Sequence, residues 1–400
     1  PITGASGKSH ADASGTAKSG AEANSKSGAE GTAKSGASGN SKSGASGTAD
    51  LWPEDRLVAD IDSAMTRAAD FLVKAQGKAG GWHSEMYGSF RDGWALTPLV
   101  LSALLFVPPS PEVEAAYTKG SDFVASMVKA DGTVVPEALA YPTYAVAGGI
   151  LVLSVPANRR HIKARDQRVE ALLSKQLTEQ HGWTPDDVSY GGFGYWPADL
   201  TKPPKGTKGP DLLSSNLSAT LFALGALRMA ELPPKHPALK KIAIFIERCQ
   251  NLAPDGTVKD PRFDDGGFHF TPANDVQNKA DRAGTDKKGR PRYRSYGSMT
   301  ADGLRALRQL GYAMDHPRVV AAKNWLLPRY SPERAPGDYP EIRELQRRSV
   351  YHYWLWTSAH AMQALGQSQI ESAIGKIHWP FWHAKAILRR QKDDGTWRND

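Results

Sequence analysis

From residue 51 onwards one pattern recurs along the sequence. A helix with one apolar face is followed by a turn and by a helix that is apolar almost all round. In the first pair, apolar residues three and four apart through 57–75 predict an amphipathic helix that starts near Pro53 and ends near Gln76. The next predicted helix, 94–106, is apolar on nearly every side, which indicates burial. Repeated pairs bury each unit against its neighbours, so the sequence favours a stack or ring of helical hairpins.

The pairing continues to the end of the sequence. Ser110, Pro111 and Glu112 supply an N-cap, a first-turn proline and a first-turn acid, and so predict where the second pair begins. The later predicted helices are 111–128 with 141–153, 162–177 with 211–229, 236–250 with 297–310, 317–327 with 347–365, and an unpaired helix 378–391. The prediction is therefore five hairpins and a half.

The turns within the pairs share a signature. It reads Q-x-x-D-G-x-W over 391–397, and 128–134 keeps the spacing with valine at both ends. Looser matches place Gln76 with Gly81 and Trp82, Gln176 with Gly182 and Trp183, and Gln250 with Asp255, Gly256 and Thr257. We expect the glutamine to donate to carbonyls at a helix end and the glycine to form a left-handed turn. We expect the tryptophan to cover the amide and fasten neighbouring hairpins together.

This signature resembles the repeat of the prenyltransferase and squalene-oxidase family. That family includes squalene–hopene cyclases, oxidosqualene cyclases and protein prenyltransferase β-subunits. The phrases 190–193 (Y-G-G-F), 265–268 (D-G-G-F) and 296–300 (Y-G-S-M-T) look most like those of uncharacterised bacterial squalene-cyclase-like members. The resemblance covers nearly all of 51–400. It implies an all-α fold, an α/α toroid of about six helical hairpins whose inner helices surround an apolar cavity. By that count the last hairpin is incomplete, and we expect a truncation at or shortly after Asp400.

The first fifty residues differ in composition from the rest. They consist mainly of Gly, Ala, Ser and Lys, with Ile2 as the only large apolar residue, so they predict a disordered tail (1–50) before the toroid domain (51–400). The formal charge is +8, but the lysines and arginines are scattered, and we predict no nucleic-acid partner. No apolar run is long enough to predict a transmembrane segment, which leaves peripheral membrane contact open.

The resemblance implies where a cyclase of this family would carry its catalytic acid. The family's Asp-x-Asp-Asp-Thr-Ala motif corresponds to 296–301 here, where Thr300 and Ala301 agree but Ser298 replaces the proton donor. A serine hydroxyl cannot protonate an alkene, so the sequence argues against squalene-type cyclisation. Asp302 lies one helical turn after Ser298 and is a possible substitute. We favour instead an ion pair between Asp302 and Arg305.

The sequence also lacks the residues that the family's other reactions need. The pairs 186–187, 264–265 and 393–394 lack the later aspartate of a diphosphate-binding Asp-Asp-x-x-Asp motif and are typical of turns. His352 resembles the family's zinc-ligating histidine, but its Asp-x-Cys partner is absent, and the lone Cys249 follows Arg248. We predict no metal and no cofactor.

What remains is an apolar ligand, held by residues of the inner helices and of the long loops 181–210 and 252–296. The candidate ligand-binding residues are Trp94, Tyr195, Trp196, Phe268, Tyr296, Ser298, His352 and Trp354. The first function considered is a terpenoid-cyclase-like toroid that binds or transforms an isoprenoid or other apolar molecule. The second is a non-catalytic scaffold that binds protein or lipid. The third is a carbohydrate-active toroid, which would need two carboxylates facing a cleft.

Overall fold

A computed structural model describes residues 54–86, 90–129, 141–196, 199–207, 209–210, 212–273, 277–372 and 375–399. The predicted tail, residues 1–50, lies outside these ranges, and so does most of the 128–134 turn. Within the described residues no helix is long and apolar enough to span a bilayer.

The described chain is mostly α-helical, as predicted. Its α-helices are α1 (Glu54–Ala75), α2 (Leu96–Leu104), α3 (Pro111–Ala125), α4 (Pro142–Leu153), α5 (Ile162–Leu173), α6 (Leu217–Met229), α7 (Pro237–Arg248), α8 (Gly297–Gln309), α9 (Pro317–Leu326), α10 (Glu344–Ser349), α11 (Tyr351–Leu365) and α12 (Trp379–Leu388). Two antiparallel hairpins, β1 (Arg282–Thr285) with β2 (Pro291–Tyr293) and β3 (Gln369–Ser372) with β4 (Gly375–His378), are the strands of the described ranges.

Two predicted helix boundaries were wrong. The helix predicted from 211 begins at Leu217, because the Asn216 side chain caps it by accepting from the Ala219 N–H at 2.8 Å. The helix predicted over 347–365 is divided at Val350 into α10 and α11. The predicted Ser110 cap is confirmed, since its Oγ accepts from the Val113 N–H at 3.2 Å.

The helices form two layers. The inner helices α2, α4, α6, α8 and α11 pack side by side in that order. Each is covered on its outer side by a helix of the outer layer, which consists of α1, α3, α5, α7, α9 and α12. The inner helices are the more buried: ten residues of α4 and ten of α8 are buried, against two of α5. This confirms the alternation of inner and outer helices on which the toroid prediction rests.

Four outer helices end in the same hydrogen-bonded corner, which joins each of them to another outer helix. In every corner a glutamine Nε2 donates to two carbonyl oxygens, one of a glycine in the following turn and one in the neighbouring outer helix, at 2.8 to 3.2 Å. The glutamines, each with its glycine and helix acceptors, are Gln76 (Gly80, Ala116), Gln176 (Gly191, Ala238), Gln250 (Gly266, Arg318) and Gln391 (Gly395, Ala64).

The structure corrects three of the predicted turn pairings. The corner glycine of Gln76 is Gly80 rather than the predicted Gly81. Gln176 and Gln250 bond to Gly191 and Gly266, rather than to the predicted Gly182 and Gly256. All four corner glycines have positive φ, and a Cβ on any of them would come within 2.9 Å of a carbonyl oxygen of the neighbouring helix. The phrases 190–193 and 265–268 are therefore the true repeats of the corner.

The aromatic residue two positions after each corner glycine belongs to its own hairpin. Trp82 and Trp397 donate their Nε1–H groups to Leu72 and Ile387, each four residues before the corner glutamine, at 2.7 and 2.9 Å. The N–H groups of Trp82, Phe193 and Phe268 donate to threonine hydroxyls of the following inner helix, which are Thr97, Thr220 and Thr300. Glutamine and glycine therefore link neighbouring hairpins, while these donors fasten helix to helix within one hairpin.

The outer layer closes on itself. Gln391, after α12, donates to the Ala64 carbonyl in the middle of α1, and Gly395 packs on the α1 backbone at Arg67. Because the last corner uses the same contacts as the others, α1 takes the place of a next outer helix. The described parts of 54–399 thus form a mainly α-helical ring of two layers, with six outer and five inner helices besides the short α10.

Candidate ligand site on the inner helices

A continuous group of aromatic rings lies on the inner side of the ring. We call it the aromatic band and define it as Tyr141, Tyr144, Tyr195, Phe222 and Trp356. Neighbouring ring centroids are 4.8 Å apart for Tyr141 and Tyr195, 6.0 Å for Tyr195 and Tyr144, 5.1 Å for Tyr144 and Phe222, and 5.8 Å for Phe222 and Trp356. These separations are those of favourable edge-to-face and offset pairs.

The helix order places the band on the inner side. Phe222 is on α6 and Trp356 is on α11, and these helices are separated in the layer by α8. Their rings can meet only in front of α8, on the side away from the outer helices. Trp356 is 40 % exposed, and the other four rings of the band are partly exposed. The band therefore offers apolar ring surface that the described chain leaves uncovered.

A buried polar network lies beside the band and joins three inner helices. Asp302 on α8 is inaccessible, and its Oδ2 accepts from the Tyr353 hydroxyl at 2.7 Å. The Tyr353 hydroxyl bonds in turn to Ser218 on α6 at 2.8 Å. The Asp302 Oδ1 accepts from the Thr357 hydroxyl and from Arg305 Nη1 at 3.4 Å. The favoured ion pair of Asp302 with Arg305 is thus present, and α11 contributes two further donors.

The electrostatics of Asp302 has two opposing contributions. Burial raises the pKa of its carboxyl above the usual value, while Arg305, Thr357 and Tyr353 act in the other direction. Arg305 also lies over the Trp356 ring, with its guanidinium carbon 4.6 Å from the centroid. Both carboxyl oxygens accept hydrogen bonds from within the chain, so the arrangement is suited to holding the helices together.

The predicted loop residues fall in different places. Tyr195 joins the aromatic band, and burial raises the pKa of its hydroxyl, which stays neutral. Trp196 lies next to it with Lys175 Nζ 5.1 Å from its ring centre. Trp94 stacks on Phe123 of the outer helix α3, with centroids 4.5 Å apart.

The other predicted ligand residues lie at the ends of α8 and α11 or in the core. Phe268 and Trp354 are inaccessible, and Trp354 Nε1 donates to the Ser331 carbonyl at 2.8 Å. Tyr296 precedes α8 and is 1 % exposed, and its ring lies 5.8 Å from that of Tyr339. Ser298 is equally buried. His352 is partly exposed and lies against the Tyr351 ring.

Thr300 has a structural role that accounts for the threonine of the motif. Its hydroxyl accepts from the Phe268 N–H at 3.0 Å and donates to the Tyr296 carbonyl at 3.1 Å. Thr97 and Thr220 hold the same place in their own hairpins. The match of 300–301 to the cyclase motif therefore reflects the construction of the corner.

Sequence reasoning missed most of the band. Tyr141, Tyr144, Phe222 and Trp356 belong to helices predicted only to be buried, and so does Tyr353 of the polar network. The spacing of Tyr353 and Trp356, three residues apart, puts both rings on one face of α11, with centroids 5.6 Å apart. That spacing was the available signal.

Comparison with known proteins gives a likeness in solved structures alone. No family model and no curated protein matches the chain. A variant of the type II terpene cyclase MstE from Scytonema, in complex with its product merosterolic acid A, is 12 % identical, with 87 % of this chain and 84 % of that chain covered and a TM-score of 0.49. A variant without ligand is 13 % identical, with 87 % and 82 % covered and the same TM-score. A third, in complex with the substrate geranylgeranyl dihydroxybenzoate, has a TM-score of 0.48 at 12 % identity, with 86 % and 82 % covered.

Proposed function

We propose that this protein binds an isoprenoid or similarly apolar molecule along the aromatic band. The observation that carries the proposal is the partly uncovered group of rings on the inner helices, with Trp356 40 % exposed. Contiguous exposed apolar surface in a concave place is typical of ligand sites. Ring faces and edges favour a hydrocarbon chain, whose burial against them contributes about 25 cal/mol per Å² of apolar surface.

The proposed activity is binding without proton-initiated cyclisation. Ser298 stands at the family's proton-donor position, and a hydroxyl is too weak an acid for that step. Asp302 does not replace it in this proposal, because Tyr353, Thr357 and Arg305 already occupy both of its oxygens. The network instead supports the helices that carry Phe222 and Trp356.

The test is equilibrium binding of radiolabelled geranylgeraniol to delipidated protein. Phe222→Ala and Trp356→Ala should each weaken binding about tenfold, because each removes an aromatic contact worth roughly 1.4 kcal/mol or more. Phe71→Ala is the control, since Phe71 is 42 % exposed on the outer helix α1. Equal affinity in all four proteins would contradict the proposal. Formation of a cyclised product from squalene or a prenyl diphosphate would contradict the assignment of binding alone.

A second candidate is a non-catalytic scaffold for protein or lipid. The observation in its favour is the exposure of Leu99, Leu105 and Phe106 on and just after the inner helix α2, with Phe106 77 % exposed. Exposed apolar side chains close together are typical of docking surfaces. Absence of geranylgeraniol binding, together with retention on lipid vesicles, would favour this candidate.

A further inference from the structure

We propose that a cleft in the outer layer binds a hydroxylated organic phosphate, at a site separate from the aromatic band. The cleft has a volume of about 1200 Å³ and lies between the end of α7, the segment 250–264 and the hairpin β1–β2. No residue of the aromatic band lines it. Its size is sufficient for a metabolite of several rings or a sugar phosphate.

The charge of the cleft favours an anion. Of the described residues that line it, eight are lysine or arginine and five are aspartate or glutamate. The turn between β1 and β2 contributes Lys287, Lys288 and Arg290, which project from a short hairpin at the mouth. Arginine presents a planar set of donors that fits phosphate oxygens, and lysine adds a compact positive charge.

Some of this positive charge is already paired with acids of the cleft. Arg292 contacts Asp264 at 2.6 Å, and Arg290 contacts Asp286 at 2.8 Å. The Arg290 side chain is 67 % exposed even though it pairs with Asp286, so its guanidinium can also contact a ligand. An ion pair at the mouth orients the arginine, and the excess of cations attracts the phosphate.

The inner end of the cleft carries an unusual histidine. Phe268 forms an isolated antiparallel bridge with Gln250, and Phe268 and Phe270 lie in the core while His269 between them lines the cleft. His269 is 5 % exposed, and neither ring nitrogen has a hydrogen-bond partner among the described residues. Burial, together with Arg292, lowers the pKa of His269 to about 3, so the ring is neutral and offers one donor and one acceptor.

Asn251 adds a second unsatisfied group at the same end. Its Nδ2 donates to the Tyr293 carbonyl and to the Ser295 hydroxyl, both at 2.8 Å, which holds the amide in place. Its Oδ1 is buried and has no partner within the described part of the chain. Asn251 and His269 both line the cleft, where a ligand hydroxyl can donate to Asn251 Oδ1 and its oxygen can accept from the His269 N–H. Buried polar groups of this kind discriminate strongly for a ligand that completes their hydrogen bonds.

Calorimetric titration with glucose 6-phosphate, inorganic phosphate and glucose tests the two halves of the site. Glucose 6-phosphate should bind at least tenfold more tightly than inorganic phosphate, because only it reaches both ends. Glucose should bind more weakly still. The triple variant Lys287→Gln, Lys288→Gln, Arg290→Gln should lose tenfold or more for both phosphates. The matched control is Arg56→Gln, Lys74→Gln, Lys78→Gln, which removes three exposed charges at and after α1 and should bind as the wild type does.

The inner end is tested by His269→Phe, which keeps a planar ring and removes both polar atoms. It should reduce the affinity for glucose 6-phosphate to that for inorganic phosphate and leave the latter unchanged. In the wild type, ¹⁵N-labelled histidine gives a second readout that needs no substitution, since the ring nitrogens of His269 should shift on titration with glucose 6-phosphate. Absence of binding at millimolar concentration, or binding without a shift at His269, would overturn the proposal. The proposed geranylgeraniol site uses other residues. If the cleft does not bind glucose 6-phosphate, the proposal for the aromatic band is therefore not affected.

Discussion

At the scale of single residues, His269 also predicts a pH dependence of folding. Its folded pKa is about 3 and its ordinary value is about 6.5, so the unfolded chain binds more protons between these limits. Neutral His269 therefore makes its full contribution to the free energy of unfolding above pH 6.5, and this contribution is lost as the pH falls. Between pH 6.5 and 5 the loss is about 2 kcal/mol.

Urea unfolding of the wild type and of His269→Phe measures this effect. As the pH is lowered from 7 to 5, the difference in free energy of unfolding should change by about 2 kcal/mol in favour of the phenylalanine variant. His83→Asn, at an exposed position, is the control and should follow the wild type. A difference that stays constant between the two pH values would show that His269 is not buried in its neutral form.

The candidate site was only partly predictable at this scale. Tyr195 was identified because it lies in a long loop, where an aromatic side chain stands out. Phe222 and Trp356 were not, because apolar periodicity shows that a helix is buried and not which of its faces points inwards. That orientation depends on rotation of each helix against its neighbours. Asp302 was correctly paired with Arg305 because an i,i+3 contact is local to one helix.

At the scale of elements, the corner that joins outer helices predicts that the stability of the fold depends strongly on its glycine. Gly191 has φ +84°, and a Cβ there would collide with the Lys241 carbonyl oxygen. Gly182 has a similar φ of +79°, but the nearest atom to its Cβ would be 3.8 Å away. Gly182→Ala should cost about 1 kcal/mol from the left-handed conformation alone. Gly191→Ala should cost about 2 kcal/mol more, because the corner must also open.

Chemical denaturation of the two variants separates the cost of the left-handed backbone from the cost of the steric clash with the next helix. Since both glycines share the same backbone region, any excess in Gly191→Ala belongs to the close approach of α7. If both variants lose the same free energy of unfolding, the corner accommodates the added methyl group without a measurable energy penalty. If either variant binds a dye for exposed apolar surface in the absence of denaturant, its loss of stability reflects local unfolding instead.

The elements themselves were largely predictable and the corners only in part. Helical periodicity is a local property, so the helices were found with boundaries that differ mostly by a few residues. Gln76 and Gln391 bond to a glycine four residues later, which keeps their corners within one short phrase. Gln176 and Gln250 reach glycines 15 and 16 residues away, across inserted loops. The nearer Gly182 and Gly256 lie only six residues after their glutamines, and the packing of the next helix is what distinguishes the true partner.

At the scale of the whole molecule, closure of the outer layer predicts that the two ends of the described chain protect each other. The contacts that close it are Gln391 with Ala64 and Gly395 with Arg67. A Cβ on Gly395 would lie 2.5 Å from the Arg67 carbonyl oxygen, so Gly395→Ala should push α12 from α1. Amide hydrogen exchange in the second half of α1 should then become faster, while exchange in α7 stays as in the wild type.

Gly366→Ala provides the matched control for this last experiment. Gly366 also has positive φ, at +65°, but a Cβ there would meet no atom within 4 Å. It should change exchange in α11 at most and leave α1 protected. In an open stack of hairpins a disturbance at one end would remain there, whereas in a closed layer it reaches the first helix through a contact between residues more than 300 positions apart. Unchanged exchange in α1 of Gly395→Ala would therefore mean that α12 and α1 do not support each other and that the layer is open.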